Sequence, residues 1–170
     1  MPKDKVGRLQ FEEEVGVVPV RYMLGADYEE TASLRAAYAR AQSIVLSLGF
    51  VDAVEEAWFG GGAPKIATVF LFRFQSKDAD VAYGWLVSGE IPWAFMAPHD
   101  DDSPRSVLAR YVERAREWEE ASGHEPADCM FGSYHPELRD SLLRRLQFIE
   151  QRLLPEMPLG AARPARPDPG

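Results

Sequence analysis

Side chains able to do chemistry stand in several places along these 170 residues. The run His99-Asp100-Asp101-Asp102 offers one nitrogen and several oxygens, the donors a divalent cation takes. Calcium sites built on one loop space their acids as Asp-x-Asp-x-Asp-Gly, and that pattern is absent. The acids lead into a predicted helix, where they favour its positive end. Cys129 lies between His124 and His135 in sequence, and a thiol needs a neighbouring base to act as a nucleophile. Flanked by Met130 and Phe131, it reads as a small buried hydrophobe. Gly60-Gly61-Gly62-Ala63-Pro64-Lys65 has the glycines and the lysine of a phosphate loop. Such a loop must open a helix, whereas Lys65 is followed by Ile66 and a strand. The glycines therefore read as a flexible hairpin connection. Glu55, Glu56, Asp78, Asp80 and Glu90 are carboxylates for acid/base work, and they read as solvated strand and turn surface. No catalytic residue, metal-ligand set or cofactor is assigned from these groups.

The elements that must hold these groups follow from periodicity. Residues 1–26 read as an irregular lead-in with an edge strand near Val17–Met23, where Pro19 lacks a ladder N–H. Asp27 caps a first helix whose apolar residues recur at Leu34, Ala37, Tyr38, Ala41, Ile44, Val45 and Leu48, with Gly49 ending it. Three strands follow, Val51–Phe59, Ile66–Phe74 and Val81–Ser88. The middle one is apolar on both faces: Ile66, Thr68, Phe70, Phe72 and Phe74 on one, Ala67, Val69, Leu71 and Arg73 on the other. It is therefore central. A second helix opens at Asp102 or Ser103 with Pro104 in its first turn. It buries Leu108, Tyr111, Val112, Ala115 and Trp118 and stops at Gly123. A third opens near Pro136 and carries Leu138, Leu142, Leu146, Ile149 and Leu153 on one face. The expected fold is α+β: a three- to four-stranded antiparallel meander packed on amphipathic helices, in the order α-β-β-β-α-α. Residues 27–154 make one domain, and the proline-rich 155–170 read as a disordered tail.

Gly84-Trp85-Leu86-Val87-Ser88-Gly89-Glu90-Ile91-Pro92 resembles the core of an uncharacterised bacterial domain-of-unknown-function family. Its members read Gly-Trp-Trp, three residues, Gly-Asp, one residue, Pro, then an acidic-aromatic pair. A Pro-Arg opens a later helix that ends in Trp, as Pro104-Arg105 and Trp118 do here. Leu86 replaces the second Trp, Glu90 the Asp, and Ala94-Phe95 the acidic-aromatic pair. The resemblance spans roughly residues 30–120. It implies a small α+β fold and no established activity.

Composition narrows the function class. Apolar residues make up 46% of the chain, and nine Phe, six Tyr and four Trp supply a core. One cysteine excludes an intramolecular disulfide. No stretch is apolar enough to span a membrane, and the N-terminus lacks the apolar core of a signal peptide, so a cytoplasmic location is expected. Twenty-seven acidic against nineteen basic residues give −8, all of it in residues 51–135. That argues against phosphate-backbone binding and for a basic protein partner. The expected function is a non-enzymatic binding module, of the kind an immunity or antitoxin-like protein represents, and a homodimer stays open. Ile91–Pro98 holds its aromatics between two prolines. The expected contact residues are Glu90, Trp93, Phe95, Asp100, Asp101 and Asp102. The alternatives are a small metal-dependent hydrolase using His99 and the neighbouring acids, and a small-molecule sensor with Phe72, Tyr83 and Trp85 around a pocket.

Overall fold

The computed structural model describes residue 12 and residues 15–158. A six-stranded antiparallel sheet has its strands in chain order. The strands are β1 (Val18–Pro19), β2 (Val51–Ala63), β3 (Ala67–Ser76), β4 (Val81–Gly89), β5 (Ile91–Met96) and β6 (Cys129–Phe131). Helix α1 (Tyr28–Ser47) lies between β1 and β2, α2 (Pro104–Glu120) between β5 and β6, and α3 (Arg139–Phe148) after β6. The fold is α+β with an antiparallel sheet, as expected, but it has six strands rather than three or four, and its order is β-α-β-β-β-β-α-β-α rather than α-β-β-β-α-α.

The two faces of β3 explain the layering. Phe70, Phe72 and Phe74 join Leu86 and Phe95 in a core closed by Leu34, Ala41 and Val45 of α1. Val69 and Leu71 join Trp85, Val87 and Met96 in a second core. Leu108, Tyr111, Val112, Ala115 and Trp118 of α2, with Leu142 and Leu146 of α3, close that second core. Every residue of the predicted inner stripe of α2 is buried. A fully buried side chain of this size stabilises by roughly 1.5–3 kcal/mol, so alternation on one strand decides which helix covers which face.

The helix ends follow side-chain chemistry. The Asp27 carboxylate accepts the Glu30 N–H at 2.8 Å. Ser103, rather than Asp102, caps α2, and Ser106 returns the bond to the Ser103 N–H. Beyond α2, Gly123 at φ +93° donates its N–H to the Trp118 carbonyl at 2.8 Å.

Several expectations change. Gly60–Gly62 belong to β2, and the hairpin turn falls on residues 64–66. Gly61 and Gly62 have positive φ beside a register shift, and a Cβ on Gly62 would stand 2.1 Å from the Ala67 carbonyl oxygen. The glycines therefore serve a bulge rather than the turn. Ile91–Met96 is a strand, although Pro92 argues against one. Only Ala94, Phe95 and Met96 pair with β6, so Pro92 lies outside those rungs. β6 falls between the second and third predicted helices, where three residues are too few to show a period. The third helix is compound: α3 runs from a 3₁₀ turn at Pro136–Leu138 into a π-helical turn at Ile149–Leu153. A further 3₁₀ turn covers Leu154–Glu156 and Met157 is buried, so ordered chain continues past residue 154. Residues 159–170 of the expected tail lie outside the described residues.

Candidate binding sites

The six expected contact residues do not form one surface. Glu90 is exposed at the turn before β5, and Asp100 and Asp101 are exposed beyond its end. Six residues of strand, roughly 20 Å at about 3.3 Å each, lie between them. Trp93 is half-buried on the α1 side of β5. Phe95 is 7% exposed and is a core residue, a correction to its expected role. Its ring lies 5.8 Å from that of Phe50 and 5.9 Å from that of Phe74, on the face that alternation points at α1.

Asp102 also turns inward. Its carboxylate accepts the His99 backbone N–H at 2.7 Å and both terminal nitrogens of Arg110, at 2.6 and 3.0 Å. The two side chains are 6% and 11% exposed. Arg110 Nη1 also lies 3.3 Å from His99 Nδ1. A guanidinium thus already occupies the place where His99 and Asp102 would have held a metal. Among the described residues no group of three His, Cys, Asp or Glu is arranged to hold one.

The remaining catalytic candidates are dispersed. His124 Nδ1 lies 3.0 Å from the Ala121 carbonyl oxygen, and His135 pairs with Glu137 at 3.2 Å. Cys129 is buried on β6, and burial, with the Asp128 charge secondary, pushes its thiol up to about 12. A thiol held protonated at neutral pH is a packing group rather than a nucleophile. Glu55 pairs with Arg73 at 3.2 Å, and Glu56 with Arg21 at 3.4 Å.

A charged face of α2 was not foreseen as a unit. Glu113, Glu117 and Glu120 are exposed at i, i+4 and i+7, a spacing that sets them on one outer stripe. The arginines of the same helix are engaged within the molecule. Arg110 holds Asp102, Arg114 donates Nε to Asp128 at 2.9 Å and Nη1 to Glu117 at 3.2 Å, and Arg116 grips Glu150 at 2.9 and 3.1 Å. The bond from Arg114 holds the Asp128 carboxyl below its ordinary range, and the bonds from Arg116 do the same for Glu150. Hydrophobic spacing revealed the inner stripe of α2, whereas the pairing of its arginines depends on loops and on α3.

Two of the concavities bear on these residues. One, of about 180 Å³, is lined by Tyr83 and Trp85 together with Leu71, Pro98, His99 and Asp100. Among the described residues the buried indole N–H of Trp85 meets no acceptor. Phe72, expected beside Tyr83 and Trp85, faces α1 instead. The other, of about 320 Å³, opens between the β4–β5 turn, the end of α2 and the start of α3. Trp118, Pro92 and Leu142 supply apolar wall, Glu90, Glu119 and Arg145 supply charge, and His135 lies at the lining as well. Glu119 could not be singled out from sequence, because an acid beside Trp118 near a helix end reads as solvent-facing. No helix among the described residues is long and apolar enough to cross a membrane. Comparison with known proteins gave no match to any family model, any curated protein or any solved structure.

Proposed function

We propose that this protein is a non-enzymatic binding module that docks a basic protein partner, as an immunity or antitoxin-like protein does. The observation that carries the reading is the outer face of α2. Glu113, Glu117 and Glu120 project from it; Arg114 reaches Glu117 at 3.2 Å but is shared with Asp128, and Arg116 is held by Glu150, so the stripe keeps an acidic excess. Asp100 and Asp101, exposed just before the same helix, add to the field. An excess of charge of one sign speeds encounter with an oppositely charged surface and rejects like-charged ones. The contact surface is accordingly α2 with its leading loop, in place of the loop-to-turn set expected from sequence.

The test is affinity capture from the source organism, comparing the native chain with a variant carrying Glu113→Lys, Glu117→Lys and Glu120→Lys. The expected result is a basic protein held by the native chain, released as salt rises, and absent from the variant at unchanged melting temperature. Equal capture by both chains, or a captured set that ignores salt, would sink the reading.

A further inference from the structure

Glu119 lies near the end of α2 with only 2% of its surface exposed, and it lines the 320 Å³ cavity. Among the described residues, Tyr134 and Arg139 meet its carboxylate at the same oxygen. Tyr134 donates its hydroxyl to Oε1 at 3.0 Å, and Arg139 Nη1 lies 3.5 Å from Oε1. Arg139 is itself about half exposed, so its charge is largely solvated. A carboxylate this buried is costly unless further donors reach it. The wall beside it is apolar, formed by Trp118, Leu142, Ile91 and Pro92.

The cavity has a second pole. Arg145, exposed on α3, lines the same cavity and donates Nη1 to the Glu90 carbonyl oxygen of the β4–β5 turn. That bond fixes one arm of the guanidinium. A guanidinium has five N–H donors in a planar fork, so it can still take a carboxylate. A buried negative pole and an exposed positive pole thus share one apolar pocket. Its volume, about 320 Å³, equals roughly ten water molecules at about 30 Å³ each, room enough for an amino acid.

We propose that this cavity binds a free α-amino acid with an apolar side chain. The ammonium group donates to Glu119, the carboxylate accepts from Arg145, and the side chain covers Trp118 and Leu142. A ligand bearing only one charge leaves the opposite pole desolvated and unpaired, which discriminates against it. The site is separate from the acidic face of α2, so its test is independent of partner capture.

The experiment titrates L-leucine and L-phenylalanine into the full chain by calorimetry and by following the indole N–H of Trp118 in NMR spectra. N-acetyl-L-leucine, which lacks the ammonium, and L-leucinamide, which lacks the carboxylate, serve as controls. The expected outcome is saturable binding of one or both amino acids with a shifted Trp118 resonance. Each control should bind at least tenfold more weakly. Glu119→Gln and Arg145→Gln should each weaken the amino acid at least tenfold. Should Glu119→Gln fail to fold, the exposed Arg145→Gln still decides. Absence of saturable binding at millimolar concentration, or equal affinity for a control, overturns the proposal. So does an Arg145→Gln chain that binds as the native one does.

Discussion

Three consecutive aspartates show how position decides what an identical side chain does. Asp100 and Asp101 are exposed, while Asp102 is buried and holds the loop ahead of α2 through the His99 N–H and Arg110. Replacing Asp102 with Ala leaves the 11%-exposed Arg110 without its carboxylate. Losing one partner of a buried pair costs on the order of 3 kcal/mol. Urea denaturation should show that loss, and adding Arg110→Leu should recover much of it. A loss below about 0.5 kcal/mol would mean the pair behaves as a surface one. An acid ahead of a helix was legible in the sequence. Its partner eight residues on was not, because helical pairing rules reach only three or four residues. Glu119 eluded the reading for a related reason. Its burial is made by Tyr134, from a segment with no period of its own.

Elements were most legible where a period ran long enough to count. The cap of α1, the buried stripe of α2 and the alternation of Phe70, Phe72 and Phe74 against Val69 and Leu71 on β3 followed from residue type and spacing. β5 and β6 did not, since one begins beside a proline and the other has three residues. Pairing explains a residue of the Gly-Trp core that spacing did not. Gly84 lies on β4 under the ring of Phe95, and a Cβ there would stand 2.0 Å from Phe95 Cζ. The Gly84→Ala substitution must push that ring off Phe50 and Phe74. It should lower stability by roughly 1–3 kcal/mol, the usual cost of overpacking. Thermal melting of Gly84→Ala and of Gly84→Ala with Phe95→Leu tests this. The smaller side chain should restore part of the loss, and a double variant no better than the single one would contradict it.

At the scale of the molecule, ion pairs tie α2 to the segment before β6 and to the chain after α3. Asp128 and Glu150 are held below their ordinary ranges by Arg114 and Arg116. Their folded-state values are depressed, so the stability they add is fully present above the unfolded value. It is lost as pH falls through the folded one. Asp128→Asn should therefore flatten the loss of stability from neutral pH down through 3.8, the ordinary value for an aspartate. Urea midpoints across that range measure it, and parallel curves for the native and variant chains would refute it. Glu150, about half exposed, should contribute less. The order of the strands carries one more consequence. β2 to β5 each pair with the strand just before or after them in the chain, across short turns. Loop closure among them costs little entropy, and such hairpins close in roughly 1–10 μs. The centre of the sheet can thus assemble as a run of local closures while the chain beyond residue 96 is still unplaced. β6 docks across the longer connection through α2, so the Trp118–Phe131 stack at 4.6 Å belongs to the late part of folding.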